Sequence, residues 1–375
     1  MADVLEGIAL GIGVQEDQRT VNPNILNATE LITAAIPIGD DAQQEATGIL
    51  LRSPEDLSKA FERIEADGGV TPGSLTRESG SFIRVDSVVA FTIDLMGSRG
   101  DVGSPILDNE FDLSEYMLRI LAGVRLADIT ASTNAHTEYT FNASSAGVYH
   151  SLKIWRGTGA KTESWVLVGC TFNLTWNYSA GDKATLDVEV LADSVIYQGN
   201  ANTFPALSLS DPASAYGNQT GAAPILENAE VIVNGVTQRG FQTGTLTIAY
   251  PVNEVQDTRF SGGIRKSQGT PREVKFEAVF FADDDTPDGQ DFDFLEEEFD
   301  GNLPGPVLEF QLGVTAVPNG IANALRIFIP SWRVESTDKV DGDHVLRTIT
   351  GYGARRGTDA VFGTGANEEF RLRSV

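Results

Sequence analysis

The sequence predicts an all-β chain with a few short helices, built as two tandem β-sandwich or barrel units, and three observations predict it. Short runs that alternate apolar with polar residues recur through most of the chain, as strands with one dry and one wet face do. The 38 glycines supply the positive-φ corners that so many reversals require. An order of elements met in the first half also returns in the second, which is the mark of an internal repeat.

Helical pattern is scarce. "SPEDLSKAFERIEA", Ser53 to Ala66, opens with an N-cap serine, a proline at the first helical position and two acids, and spaces Leu57, Ala60, Phe61 and Ile64 along one face. A helix is expected there. A second is expected at Asp112 to Gly123, where Leu113, Met117, Ile120 and Leu121 keep helical spacing and a glycine ends the run. A third, Asp291 to Gly301, has Phe292, Leu295 and Phe299 on one side. All three suit the cover of a sheet.

Strands are expected in the first half at "FIRVDSVVAFTIDLM", "EYTFNAS", "SLKIWRG", "SWVLVGCTFNLTWNY" and "ATLDVEVLAD". In the second half they are expected at "AEVIVNG", "GTLTIAYPV", "REVKFEAVFFAD", "VLEFQLGV", "ALRIFIPSWRVES" and "VLRTITGYG". Between the halves, Thr203 to Ala223 is rich in Pro, Ser, Gly and Ala and reads as a connection. The division is then 1–52 for an N-terminal arm with the first strands, 53–202 for one β unit, 203–223 for the linker, 224–354 for the second unit and 355–375 for a C-terminal arm.

The repeat shows most clearly in two stretches. "TWNYSAGDKATLDVEVLAD", Thr175 to Asp193, runs through a Trp, a Gly-Asp-Lys turn and an alternating strand; "SWRVESTDKVDGDHVLRTITGYGA", Ser331 to Ala354, runs through a Trp, an Asp-Lys pair, a turn and a strand. Around them the first half gives a strand at Ser87 to Met96, a helix from Phe111, a strand near Leu152 and a strand from Trp165 to Tyr178. The second gives a strand at Arg272 to Ala282, a helix from Phe292, a strand near Leu308 and a strand from Leu325 to Glu335. One unit used twice accounts for the order, although any two β-rich stretches align loosely.

At 375 residues the chain can bury one large core or two ordinary ones. Hydrophobic residues at 41% and charged residues at 21% describe a globular chain rather than a disordered one. Apolar stretches such as Ser87 to Leu95 fall short of the roughly 20 residues that span a bilayer, so no membrane anchor is expected. Asp3 and Glu6 stand where a secretory signal would be basic, so the chain is expected to stay in the cytoplasm where it is made. The formal net charge of −26 argues against tight attraction to phosphate backbones.

Catalytic chemistry is sought and not found. His136, His150 and His344 lie far apart in sequence with no supporting signature, and no nucleophile elbow, phosphate loop or HExxH helix is present. The expectation is a protein that is not an enzyme and that needs no cofactor. "GIALGIG", Gly7 to Gly13, is not followed by a βαβ pattern and reads as a flexible N-terminal segment. The lone Cys170, in "VLVGCTFNL", reads as a small packed strand residue. Asp283 to Asp300 carries ten acids and no base, but an EF-hand register from Asp284 puts Leu295 where a bidentate Glu is needed. A solvated loop and an acid-decorated helix are the simpler reading, and no metal site is expected.

The alternating strands say more. Leu186, Val188 and Val190 share one face while Asp187 and Glu189 share the other; Val274, Phe276, Ala278 and Phe280 oppose Glu273, Lys275 and Glu277. Taken together, "GFQTGTLTIAYPVNEVQDTRFSGGIRKSQGTPREVKFEAVFFADD", the acidic "FDFLEEEF", "LEFQLGV" and "ALRIFIPSWRVESTDKVDGDHVLRTITGYGAR" resemble the long hairpin, helix and closing strands of phage tail tube proteins. The first half resembles them through the repeat.

The resemblance implies two tube units per chain of the long-tailed siphophage type, in a trimeric ring that mimics a hexamer, with rings stacked into a conduit for DNA ejection. It implies a structural virion protein of the tail, assembled in the host cytoplasm. Its partners would be copies of itself within and between rings, terminator, tape measure and distal tail proteins, and double-stranded DNA passing without tight binding. Asp187, Glu189, Glu273, Lys275 and Glu277 would face the lumen. Arg259, Arg265 and Lys266 would sit on an inter-ring loop, and Arg355, Arg356, Arg371 and Arg373 would make C-terminal arm contacts. Acids on the bore would repel phosphates from every wall, so the duplex slides. Rival readings are another tail or baseplate ring component, a contractile tube, and a β-sandwich carbohydrate or adhesion module.

Overall fold

The computed structural model describes residues 7–15, 20–21, 26–27, 30–32, 47–49, 62–65, 82–86, 88–94, 100–101, 129–131, 137–140, 149–158, 161–182, 184–198, 206–208, 229–238, 240–249, 253–256, 264–267, 273–282, 307–314, 321–340, 345–354 and 371–374. The described residues are almost all strand. In the first half these are β1 (Gly7–Gln15), β2 (Glu30–Ile32), β3 (Thr47–Ile49), β4 (Glu62–Glu65), β5 (Phe82–Asp86), β6 (Val88–Asp94) and β7 (Gly100–Asp101). They continue with β8 (Ile129–Ala131), β9 (Thr137–Thr140), β10 (Tyr149–Thr158), β11 (Lys161–Ser179), β12 (Thr185–Leu191), β13 (Ser194–Tyr197) and β14 (Ala206–Ser208).

The second half adds β15 (Glu230–Val233), β16 (Val236–Gln238), β17 (Phe241–Ala249), β18 (Asn253–Gln256), β19 (Ile264–Ser267) and β20 (Glu273–Ala282). It ends with β21 (Leu308–Val314), β22 (Ile321–Ile329), β23 (Trp332–Val340), β24 (Val345–Gly353) and β25 (Arg371–Ser374). The chain is therefore all-β and dominated by antiparallel pairing, as its alternation predicts. Among the described strands, only β2·β3 and β2·β14 pair in parallel.

The two halves share their sheets. One continuous antiparallel run reads β6-β12-β11-β17-β20-β24-β23, with the seam between halves at β11·β17, where Leu174 stands opposite Ile248 and Trp176 opposite Leu246. A second sheet runs β16-β15-β21-β22-β25-β9-β8 and likewise mixes strands from both halves. Within the halves the pairing order corresponds: β1·β10·β11·β12·β6 in the first, β15·β21·β22 and β23·β24·β20 in the second, all antiparallel.

Local chemistry explains the corners. β11 is one long strand that serves two sets of neighbours: its first part pairs with β10 and β13, its second with β12 and β17. The change falls at Gly169, whose φ of 68° is a glycine conformation, beside a register shift between β10 and β11. In the second half the corresponding change is a break at Pro330 and Ser331, between β22 and β23. Proline has no N–H to give a ladder. Asn234 and Gly235, both with positive φ, form the two-residue turn of the β15–β16 hairpin.

The core lies between the two sheets. Phe310 of the second sheet stands 5.2 Å from Phe276, 5.6 Å from Phe241 and 6.5 Å from Tyr178 of the first, centroid to centroid. Phe276 also meets Trp332 edge-on at 6.0 Å. Such aromatic pairs add to area burial by about 0.5–1.5 kcal/mol each. The other face of β10 is covered as well: Lys153, 1% exposed, donates from Nζ to the Leu26 carbonyl at 2.8 Å, and Gln198 Nε2 donates to the same oxygen at 3.1 Å. Cys170 is a buried, reduced strand residue, as its neighbours suggest.

Two expectations are corrected. The last turn of the helix expected over Ser53 to Ala66 is instead β4, paired with β5 through Arg63 opposite Val85 and Ile64 opposite Arg84. Long-range pairing overrides local propensity there. Gly7 to Gly13 is not a flexible segment but lies within β1, where Leu10, fully buried, stands opposite Ile154. Within the expected linker, Ala206–Ser208 pairs with β2. The helices expected at Asp112 to Gly123 and Asp291 to Gly301, and the acidic segment Asp283 to Asp300, lie outside the described residues.

Candidate functional site

The run β6-β12-β11-β17-β20-β24-β23 has two contrasting faces. On one, Phe172, Leu174, Trp176, Leu186, Val188, Val190, Leu246, Ile248, Val274, Phe276, Ala278, Phe280 and Ile349 are all exposed by 3% or less. On the other, Asp187, Glu189, Glu273, Lys275 and Glu277 are exposed. Strand alternation puts successive residues on opposite faces, and antiparallel register carries each face unbroken across the seam. All five residues expected on a wet, charged face thus stand on one surface, two from the first half and three from the second.

Register rows give the surface its order. One row reads Thr92, Asp187, Thr175, Thr247, Lys275, Tyr352 and Arg333. The next reads Thr185, Asn177, Thr245, Glu277, Thr350 and Ser336. Glu189 stands opposite Asn173, and Glu273 opposite Ala249.

Neutral donors hold the carboxylates against the sheet. Asp187 accepts from Thr92 Oγ1 at 2.7 Å and from Asn177 Nδ2 at 2.6 Å. Asn173 Nδ2 donates to Glu189 Oε2 at 3.0 Å, and Thr350 Oγ1 donates to Glu277 Oε2 at 3.3 Å. Between the acids run threonines: Thr175 and Thr247 hydroxyls are 3.5 Å apart, and Thr245 Oγ1 donates to Asn177 Oδ1 at 3.5 Å. Lys275 lies 3.6 Å from Glu335 of β23 with both side chains well exposed, so solvent screening leaves the pair little net worth. Because Asn and Thr carry no charge, they fix the acids without cancelling them.

The surface is uneven. The β12 side presents Asp187 and Glu189; the β24 side presents Thr348 and Tyr352, with Thr350 between them buried and Tyr352 at 47% exposure between Lys275 and Arg333 in its row. Sequence reasoning found the acids but missed Asn173, Asn177, Tyr352, Arg333, Glu335 and the threonine ladder. The signal was present: Asn173, Thr175 and Asn177 alternate with apolar residues, as do Thr243, Thr245 and Thr247.

The expected contact residues are placed elsewhere. Arg265 and Lys266 belong to β19, which pairs only with β18 among the described residues, Lys266 opposite Glu254 and Arg265 opposite Val255. Arg371 and Arg373 belong to β25, paired on both sides with strands of the same chain rather than held free along their length. Arg259, Arg355 and Arg356 lie outside the described residues, as do His136 and His344. His150 is fully buried, its ring edge-on to Phe172 at 5.2 Å, and burial lowers its pKa to about 3. A neutral, enclosed imidazole has no access to a substrate proton.

No protein-family profile matches the chain. No curated protein matches it in sequence. Among solved structures, the chain is similar to one from "Virion of native gene transfer agent (GTA) particle", at 17% identity and a TM-score of 0.24, over 34% of this chain and 94% of that one.

Proposed function

We propose that this chain is a non-catalytic structural subunit of a phage-type tail tube, self-assembling into stacked rings that form a conduit for DNA ejection. The observation that supports the reading is the single sheet crossing both halves, apolar on its inner face and acid-bearing on the other. Its terminal strands, β6 and β23, each have one partner among the described residues. An unpaired strand edge is a template for pairing with another chain. The corresponding pairing order of the halves suits two tube units per chain.

Three such sheets closed edge to edge make a barrel roughly 100 Å around at ~4.8 Å per strand, and about 30–40 Å across with ordinary strand tilt. With the acid-bearing face inward, Asp187, Glu189, Glu273 and Glu277 line the bore. Phosphates are then repelled from the walls and gain nothing from counterion release, so duplex DNA passes without tight binding. The partners on this reading are copies of itself, with terminator, tape measure and distal tail proteins at the ends and in the bore. Its place is the virion tail, after assembly in the host cytoplasm.

Negative-stain electron microscopy of the purified full chain tests the reading. Hollow rings or tubes of uniform diameter are expected. A chain that stays monomeric at high concentration and across salt conditions would refute self-assembly.

A further inference from the structure

β13 is an edge strand with an aromatic end. It pairs only with β11 among the described strands, and Tyr197, 56% exposed, is the most open large apolar side chain of the described residues. One register row leads out to it through Leu10, Ile154 and Trp165. Burial falls along that row, from 0% exposure at Leu10 and 5% at Ile154 to a partly buried Trp165 packed on the core. The Trp165 and Tyr197 rings stand 5.8 Å apart between centroids and are inclined by 44°. On the same face, one alternation step along, Arg156 stands opposite Glu163, the first exposed and the second partly so. An aromatic shelf is thus bordered by one cation and one anion, which leaves it formally neutral in a chain of net charge −26.

The shelf is fixed from behind. Just before β13 the Asp193 N–H donates to the Val168 carbonyl at 2.9 Å, and just after it the Gln198 N–H donates to the Ser164 carbonyl at 2.9 Å. The Gln198 side chain turns to the opposite face, where Ser164 Oγ donates to its Oε1 at 3.2 Å and its Nε2 donates to the Leu26 carbonyl at 3.1 Å. With β13 pinned at both ends and Trp165 packed on the core, the two rings are ordered before any ligand arrives, which lowers the entropic cost of binding.

We propose that the Trp165–Tyr197 shelf, with Arg156 and Glu163 at its border, binds a neutral hexopyranose glycan. A pyranose ring carries C–H groups on one face and hydroxyls around its rim. The C–H face suits the two inclined rings, while a guanidinium donates to hydroxyl oxygens and a carboxylate accepts from hydroxyl protons. Charge selects against other occupants: an acidic polymer is repelled by the net charge, and a basic one meets more acids on the wet face, at Asp187, Glu189, Glu273 and Glu277. A peptide adding to the edge would gain a ladder of only 4 residues. The site goes beyond the tube reading and does not depend on it.

Affinity electrophoresis of the full chain through gels cast with hydroxyethyl cellulose, galactomannan or dextran tests it, with glycan-free and alginate gels as references. Retardation by at least one of the neutral glycans is expected, and none by alginate. Tyr197→Ala should weaken that retention about fivefold or more, as loss of an aromatic contact does. Tyr352→Ala, which removes the other tyrosine exposed among the described residues, should leave it unchanged. No retardation by any neutral glycan, equal retardation by alginate, or equal loss in the two tyrosine variants overturns the site. Should Tyr197→Ala disturb the fold, Arg156→Gln at its exposed position decides: weaker retention supports the site, and unchanged retention overturns it.

Discussion

The long strands of the two halves pair in a similar order but have different joints and different surfaces. In the first, β11 bends at Gly169 and continues, so one strand serves both sets of neighbours. In the second, Pro330 and Ser331 break the chain and β22 and β23 part company. The first half puts neutral-held acids on the wet face, Asp187 and Glu189; on β24 the second puts Thr348 and Tyr352 there, with Thr350 buried between them. A similar pairing order thus coexists with different joint chemistry and different outward side chains.

The most disruptive tests of that likeness are the buried indoles. Trp176 and Trp332 are exposed by 1% and 0%, so Trp176→Ala and Trp332→Ala should each cost about 3–5 kcal/mol in denaturant unfolding. Equal losses sharpen the correspondence, and a small loss at one of them breaks it. The halves then part at Gly351, where a methyl group would overlap the Trp332 indole and the Arg333 carbonyl. Gly351→Ala should cost about 1–3 kcal/mol. The double variant with Trp332→Phe should lose less than the sum of the single losses, because the smaller ring returns space.

Acid should lower the stability of the fold through His150. The unfolded imidazole of His150 takes a proton near pH 6.5 and the folded one only near pH 3, so between those values the unfolded state binds more protons. The His150 contribution is undiminished above pH 6.5 and falls, by up to about 1.4 kcal/mol per pH unit, as the pH drops through that window. Thermal melts against pH should show this slope, and His150→Leu should remove it. The smallest effect is expected at the wet face. Asp187→Asn should shift stability by less than about 1 kcal/mol, because the carboxylate is exposed and its partners Thr92 and Asn177 remain.

Much of the fold was legible in period-2 alternation. "ATLDVEVLAD" and "REVKFEAVFF" gave both strand and facing, and Asp187, Glu189, Glu273, Lys275 and Glu277 share one exposed surface as their spacing implies. What stayed hidden was non-local. Nothing in Glu62–Glu65 announces that β5 will claim it from a helix-patterned run, and nothing in a glycine-rich N-terminus announces β10 as its partner. The seam at β11·β17 and the strand at Arg371–Ser374 likewise depend on which distant edge is open. The Trp-to-Asp-Lys echo is looser than it looks, since Asp182 lies in a turn while Asp338 and Lys339 lie within β23. The pairing order carries the correspondence better.

In the proposed tube, one sheet built by both halves turns its acid-bearing face to a bore. A cryo-electron microscopy reconstruction of the assembled particle tests it most directly. The reconstruction should show β6-β12-β11-β17-β20-β24-β23 curved around a central channel, with Asp187, Glu189 and Glu277 directed at its axis and β6 of one copy beside β23 of the next. Rings whose channel is lined by other strands, with those acids on the outer surface, would contradict it.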